Sequence, residues 1–144
     1  MIQKFIRFAI GLSLLAGTFA IPAYAAPANL CALFTVGDMK SLLGTDVDAG
    51  EPAAMGTGCQ WFGKDEQSYV IIQRVGPGFW IDPRQAPGYE VILNLGKRAY
   101  SHPDSEGGWR AMALTADATL SVVMIGKTAT RANTVSLIRQ LSAK

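Results

Sequence analysis

The spacing of apolar residues predicts a short helix near the start of the chain and a longer helix at its end. In the first helix, apolar residues recur at helical spacing at Val36, Met39, Leu42 and Leu43. Thr35 stands three residues before Asp38, as in a capping box, and Gly44 is a natural stop. In the last helix, the predicted apolar face consists of Ala132, Val135, Ile138 and Leu141. Thr128 is the candidate N-cap of this second helix.

Between the two helices, segments that alternate or are rich in β-branched residues are typical of strands. The predicted strands are 59–62, 69–75, 89–95, 109–114 and 119–125. Segments rich in Gly, Pro and polar residues are predicted to be loops or turns, at 45–58, 79–88, 96–100 and 101–108. The order of helix, about five strands and helix predicts an α+β domain, with an antiparallel sheet and both terminal helices packed on one face.

The first 25 residues have the organisation of a secretory signal peptide. A mostly apolar run over 8–21 follows two cations, Pro22 ends it, and Ala23-Tyr24-Ala25 offers small residues for a cleavage site. The run is shorter than the roughly 20 apolar residues that a membrane anchor needs. We therefore expect a mature chain over 26–144, without a transmembrane anchor, in the periplasm or outside the cell.

Size and charge exclude several classes of function. The 144 residues suffice for one compact domain and leave little room for a second. The net charge of +2 comes from 13 Lys and Arg against 11 Asp and Glu, and Lys4 and Arg7 belong to the predicted leader. The mature chain is therefore neutral and has no run of basic residues. Such a chain lacks the electrostatic signature of binding to nucleic acid or anionic lipid.

Cys31 and Cys59 are the only cysteines, and both lie in the predicted mature chain. In an oxidising compartment they are expected to pair as a structural disulfide. Free or reactive thiols and a metal site are the alternatives. Redox catalysis normally uses a Cys-x-x-Cys turn, which the spacing of these two residues does not provide. Zinc takes about four ligands, whereas the chain contains one His and two Cys.

Four short segments, in this order, resemble small secreted or lipoprotein-type envelope proteins of bacteria. They are Cys31-Ala32-Leu33-Phe34-Thr35 before a helix ending Leu42-Leu43-Gly44, then Cys59-Gln60-Trp61, then 93–100, and a final strand and helix. The chain in this respect is similar to the domain-of-unknown-function family 3558, from Cys31 to Leu141. The resemblance implies an α+β domain in which a disulfide joins the start of the helix to the first strand, and it brings no catalytic residues. The lipid-bearing cysteine common in such proteins is absent, and a Pro-rich stretch at 79–88 replaces a helix.

The polar segment 101–108 contains the residue types of a catalytic triad or a calcium site. Ser101, His102 and Asp104 are the residue types of a nucleophilic triad, but three neighbours in one loop lack the separate supports that such a triad needs. Asp104 and Glu106 could offer oxygens to calcium, but the spacing of an EF-hand is missing. We therefore predict no catalytic residue, no metal site and no cofactor.

Phe79 and Trp80 are the candidate partner-binding residues, with Arg84 beside them. Two large rings on a segment stiffened by prolines suit a preorganised contact. The alternative is that the rings fold back and cover an open end of the sheet.

These observations favour a non-catalytic, secreted or periplasmic accessory protein that binds an envelope protein, glycan or lipid, as a monomer. One alternative is an inhibitor of a secreted or periplasmic hydrolase, which would insert the loop at 79–88 or 101–108 into the enzyme's cleft. The other is a small hydrolase whose residues converge only in the folded chain.

Overall fold

The computed structural model describes residues 29–144, so the predicted leader and its cleavage site after Ala25 lie outside the described residues. This part of the chain forms a seven-stranded antiparallel sheet and two α-helices. The strands are β1 Glu51–Ala53, β2 Gly58–Phe62, β3 Tyr69–Val75, β4 Glu90–Val91, β5 Arg98–Asp104, β6 Gly108–Leu114 and β7 Thr119–Ile125. The helices are α1 Val36–Leu43 and α2 Arg131–Ser142. The predicted α+β class and antiparallel sheet are confirmed.

The order of the strands across the sheet is β1-β2-β3-β7-β6-β5-β4. The chain builds one half as far as β3 and then crosses to the far edge through residues 76–89. It returns strand by strand until β7 pairs with β3, Tyr69 facing Ile125 and Val75 facing Thr119. The crossing places the Pro-rich segment and β4 together at one edge of the sheet.

The sheet has seven strands rather than about five because two strands lie in segments predicted to be loops or turns. β1 has only three residues and includes Pro52, so it shows no alternation. β5 occupies 98–104, where Pro103 and polar side chains obscure the pattern. The predicted strand 89–95 is also wrong in length, because only Glu90 and Val91 pair with β5 before the chain turns.

The capping box of α1 is present as predicted. The Thr35 hydroxyl accepts from the Asp38 backbone N–H at 3.1 Å, and the Asp38 carboxylate accepts from the Thr35 N–H at 2.7 Å. The helix ends at Gly44, whose φ of +68° is readily adopted only by glycine. The start of α2 differs from the prediction, because Thr130 and not Thr128 caps it, accepting from Asn133.

Both helices pack into one hydrophobic core on one face of the sheet. Met39 and Leu43 of α1 and Leu137, Ile138 and Leu141 of α2 join buried strand residues in one cluster. Ala132 is exposed, so the buried face of α2 is shifted toward Thr134 and Leu137. Among the described residues, no helix is long and apolar enough to span a membrane.

The predicted disulfide between Cys31 and Cys59 is present, with 5.2 Å between the two Cα atoms. It joins a short 3₁₀ turn over Leu30–Ala32 to β2. Cys59 is fully buried in the core cluster. The bond therefore fixes the start of the described chain to the half of the sheet that lies opposite β4.

Candidate functional site

The segment 76–89 lies against the face of the sheet that the helices leave free. The Trp80 ring packs edge-on against Tyr100, with 5.3 Å between ring centroids, and Tyr89 stacks on the same ring at 5.2 Å. Tyr100 is thereby buried, and its hydroxyl lies 2.8 Å from the Met112 sulfur. Burial raises the pKa of Tyr100 to about 12. The segment is braced on the sheet by three aromatic rings.

The two predicted contact residues Phe79 and Trp80 have different surroundings. Trp80 is half-buried, and its indole nitrogen has no hydrogen-bond partner within the described part of the chain. Trp80 therefore matches the alternative interpretation, in which the ring covers the sheet. Phe79 is exposed and remains available for contact.

Asp82 holds the polar part of this segment in place. Its carboxylate accepts from the Tyr89 hydroxyl at 3.0 Å and from Arg84 Nε at 3.1 Å. Burial, followed by the hydrogen bond to Asp82, raises the pKa of the Tyr89 hydroxyl. The Arg84 side chain remains largely exposed beyond this ion pair, so its guanidinium keeps donors available for a partner.

A groove of about 290 Å³ separates this segment from β4 and the turn that follows. Its lining includes the apolar residues Val91, Leu93 and Leu95, the ring of Tyr89, and the charged residues Asp82, Arg84, Lys97 and Arg98. The turn beside it depends on Gly96 (φ +59°), where an added Cβ would lie within 2.4 Å of the Leu114 carbonyl oxygen. Larger residues at position 96 would therefore change the shape of the groove.

Large apolar side chains are exposed around this groove. The exposed fractions are 66% for Phe79, 67% for Ile81, 56% for Val91 and 71% for Leu93. Seven large apolar residues are exposed in the described part of the chain, and these four lie on two short segments. We refer to Phe79, Ile81, Arg84, Val91, Leu93, Lys97 and Arg98 as the β4 edge patch.

Sequence reasoning identified Phe79 and Arg84 but missed the other members of the patch. Val91 and Leu93 were assigned to a long strand, where alternation would place them on a face of the sheet. The signal that could have shortened that strand is Asn94 followed by Gly96, both of which adopt positive φ here. No local signal brings Arg84 and Val91 to the same groove, because the crossing from β3 to β4 does so.

The structure separates the triad-like residues of the predicted loop 101–108. Ser101 and His102 are consecutive in β5, so their side chains point to opposite faces of the sheet. Ser101 is buried on the helix side, and its hydroxyl has no partner within residues 29–144. His102 stacks on Tyr100 on the other face. Ser101 and His102 are therefore not arranged as a nucleophile with a neighbouring general base.

The acids of this segment are engaged in separate contacts. The Asp104 carboxylate forms an ion pair with Arg110 at 3.1 Å, and Glu106 accepts from the Tyr69 hydroxyl at 2.5 Å. Burial, followed by the bond to Glu106, raises the pKa of Tyr69 to about 12. Within residues 29–144, no three His, Cys, Asp or Glu side chains come together as a metal-binding group. Because β5 extends to Asp104, only a tight turn of about three residues remains of the predicted loop 101–108. Little of that loop is therefore left to enter the cleft of a hydrolase, as the inhibitor alternative would require.

Two other grooves contain no assembled catalytic group. One of about 440 Å³ lies at the turn 63–68, where Lys64 pairs with Asp48. The Ser68 hydroxyl there donates to Asp65 at 2.7 Å, in a turn that the same carboxylate stabilises through the backbone N–H groups of Gln67 and Ser68. The other, of about 310 Å³, lies between the two helices.

No protein-family model, no curated protein and no solved structure matches the chain. The resemblance to family 3558 therefore stays a prediction.

Proposed function

We propose that the chain is a non-catalytic, exported domain that binds a component of the cell envelope through the β4 edge patch. The observation that supports this most directly is the exposure of Phe79, Ile81, Val91 and Leu93 on two segments that border one groove. Contiguous exposed apolar surface on a soluble domain commonly marks an interaction site.

The bracing of the patch supports a binding role. Trp80 and Tyr89 pack on Tyr100, and Asp82 ties Tyr89 to Arg84. A surface segment held in this way loses little conformational entropy when a partner binds. The exposed Phe79 and Ile81 are therefore presented by a preformed backbone.

The cysteines and the predicted leader support the proposed location. The two cysteines of the chain are joined to each other, and structural disulfides persist mainly in oxidising compartments. Together with the signal-peptide pattern before Ala26, the disulfide supports a periplasmic or extracellular protein. Membership of family 3558, which is part of this proposal, would agree with that location.

The test is co-sedimentation of the exported, disulfide-bonded protein with envelopes isolated from the cells that produce it. We expect saturable binding that falls by roughly tenfold or more in Ile81→Ser/Leu93→Ser, since a few central residues carry most of a binding energy. Val36→Ser/Met55→Ser is the matched control, because both residues are exposed and apolar and neither lies on the two segments that border the groove. The control variant should bind like the original protein.

Two results would overturn the proposal. One is the absence of saturable binding to envelopes. The other is equal binding by the patch variant and its control, provided that both retain the thermal stability of the original protein.

A further inference from the structure

We propose that the β4 edge patch binds the surface of an anionic phospholipid membrane. This inference rests on the proposed function and names its partner. The patch combines exposed aliphatic and aromatic side chains with cations, which is the combination found on interfacial membrane-binding surfaces.

The first argument is the charge of the patch. Arg84, Lys97 and Arg98 line the groove with a single carboxylate, Asp82. Lys97 and Arg98 form no ion pair within the described residues, and Asp82 already accepts from Tyr89 and Arg84. Although the predicted mature chain is neutral overall, this edge is positive. The proposal therefore departs from the expectation, drawn from total charge, that the protein lacks the electrostatic signature of binding to anionic lipid.

The second argument is the distribution of the other charges between the two ends of the strands. The register of the sheet puts Arg98 at the same end as Leu114 and Thr119, whereas Asp104 lies at the end with Gly108 and Ile125. The turns at this second end contain Asp65, Glu66 and Glu106, which outnumber Lys127 there because Lys64 is paired with Asp48. At the first end, the acid Asp117 is paired with Arg74. A membrane that attracts Lys97 and Arg98 would therefore repel the opposite end, and the two effects favour one orientation.

The third argument is the position of the apolar side chains. Val91 and Leu93 line the same groove as the cations. Ile81 directly precedes Asp82, which also lines the groove. The groove is only about 290 Å³, at the small end of pockets that enclose whole organic ligands. A membrane surface can contact the cations through its headgroups and the exposed Leu93 and Ile81 through its acyl boundary without having to enter the groove.

The experiment compares vesicles of phosphatidylcholine alone with vesicles of equimolar phosphatidylcholine and phosphatidylglycerol. The protein is recovered from the exported fraction, and mass spectrometry establishes its N-terminus so that an uncleaved leader does not contribute. We expect co-sedimentation with the anionic vesicles, weakening as salt rises, and at least tenfold less binding to the neutral vesicles.

Two pairs of variants test the two parts of the surface. Lys97→Gln/Arg98→Gln should reduce partitioning by about tenfold or more, because each basic residue near an anionic surface contributes to attraction. Lys127→Gln/Lys144→Gln removes the same charge outside the patch and should change partitioning by less than about threefold. Ile81→Ser/Leu93→Ser should reduce binding, while Val36→Ser/Met55→Ser should not.

Several outcomes would overturn the membrane inference. These are the absence of vesicle binding, equal binding to both lipid compositions, and equal losses in the two charge variants. If envelopes bind the protein through the patch but lose that ability after protease treatment, the partner is a protein and only the membrane inference fails. If envelopes do not bind it at all, the proposed function fails as well.

Discussion

Phe79 and Trp80 are neighbours in the chain, yet their side chains make different contributions to the molecule. Trp80 packs on Tyr100 and covers part of the sheet, whereas Phe79 points into solvent. The two side chains point in opposite directions because the backbone is extended at Trp80, and an extended backbone directs successive side chains to opposite sides. One ring of this aromatic pair therefore packs on the sheet, and the other is exposed.

This division predicts unequal effects of two alanine substitutions. Trp80→Ala should lower the free energy of unfolding by about 2–3 kcal/mol, below the usual range for a fully buried ring because Trp80 is only half-buried. Phe79→Ala should change it by less than about 0.5 kcal/mol, as is usual at exposed positions. Urea unfolding of both variants, followed by tryptophan fluorescence for Phe79→Ala and by circular dichroism for both, measures the difference. Equal destabilisation would contradict the assignment of Phe79 to the contact surface.

At the scale of elements, the central strands were the most predictable. β3 and β7 have the predicted bounds, and β6 begins at Gly108, one residue before its predicted start. These strands lie in the middle of the sheet, pair on both sides and carry long apolar or β-branched runs such as Tyr69–Val75. Where tertiary contacts and local propensity agree, sequence patterns are informative.

The strands near the edges were the least predictable. In β5, Ala99, Tyr100 and Ser101 are all buried, one face by the helices and the other by Trp80 and Tyr89. A strand covered on both faces does not alternate, and the polar residues His102 and Asp104 at its end resemble a loop. The conformation of β5 is determined by its pairing with β6, and the local sequence pattern of β5 does not reveal that pairing.

The same reason explains why only part of the candidate site could be predicted. Phe79 and Arg84 were recognised because they stand in a proline-bounded segment with an unusual composition. Val91, Lys97 and Arg98 join the site only because the chain crosses the sheet and returns along its edge. Long-range topology of this kind leaves no local signal.

The capping box allows a prediction for one element. Thr35→Ala removes the acceptor for the Asp38 N–H and the reciprocal arrangement with its carboxylate, so the free energy of unfolding should fall by about 1 kcal/mol. Ser41→Ala is the control, because Ser41 is exposed on the same helix, and it should change stability by less than about 0.5 kcal/mol. Chemical denaturation measures both. If the two variants are equally stable, the box does not contribute to the stability of the folded domain.

At the scale of the molecule, the disulfide and the β4 edge patch lie in opposite halves of the sheet. Cys59 belongs to β2, which lies beside β1 at one edge, and the patch surrounds β4 at the other. Four strands, β3, β7, β6 and β5, lie between β2 and β4. The disulfide and the proposed binding surface therefore depend on different strands, and we expect changes to one to leave the other intact while the domain remains folded.

The disulfide gives the strongest test of this separation. Cys31→Ala/Cys59→Ala opens a loop of about 29 residues, so the unfolded chain regains entropy and the free energy of unfolding should fall by about 3–4 kcal/mol. Urea denaturation measures the loss, and a reducing agent should destabilise the original protein but not the variant. Under conditions where both are folded, the variant should bind envelopes like the original protein, because β2 is remote from Ile81 and Leu93 along the sheet. An unchanged stability on reduction would mean that the bond does not hold the fold together, and a loss of binding by the folded variant would mean that the two halves of the sheet are coupled.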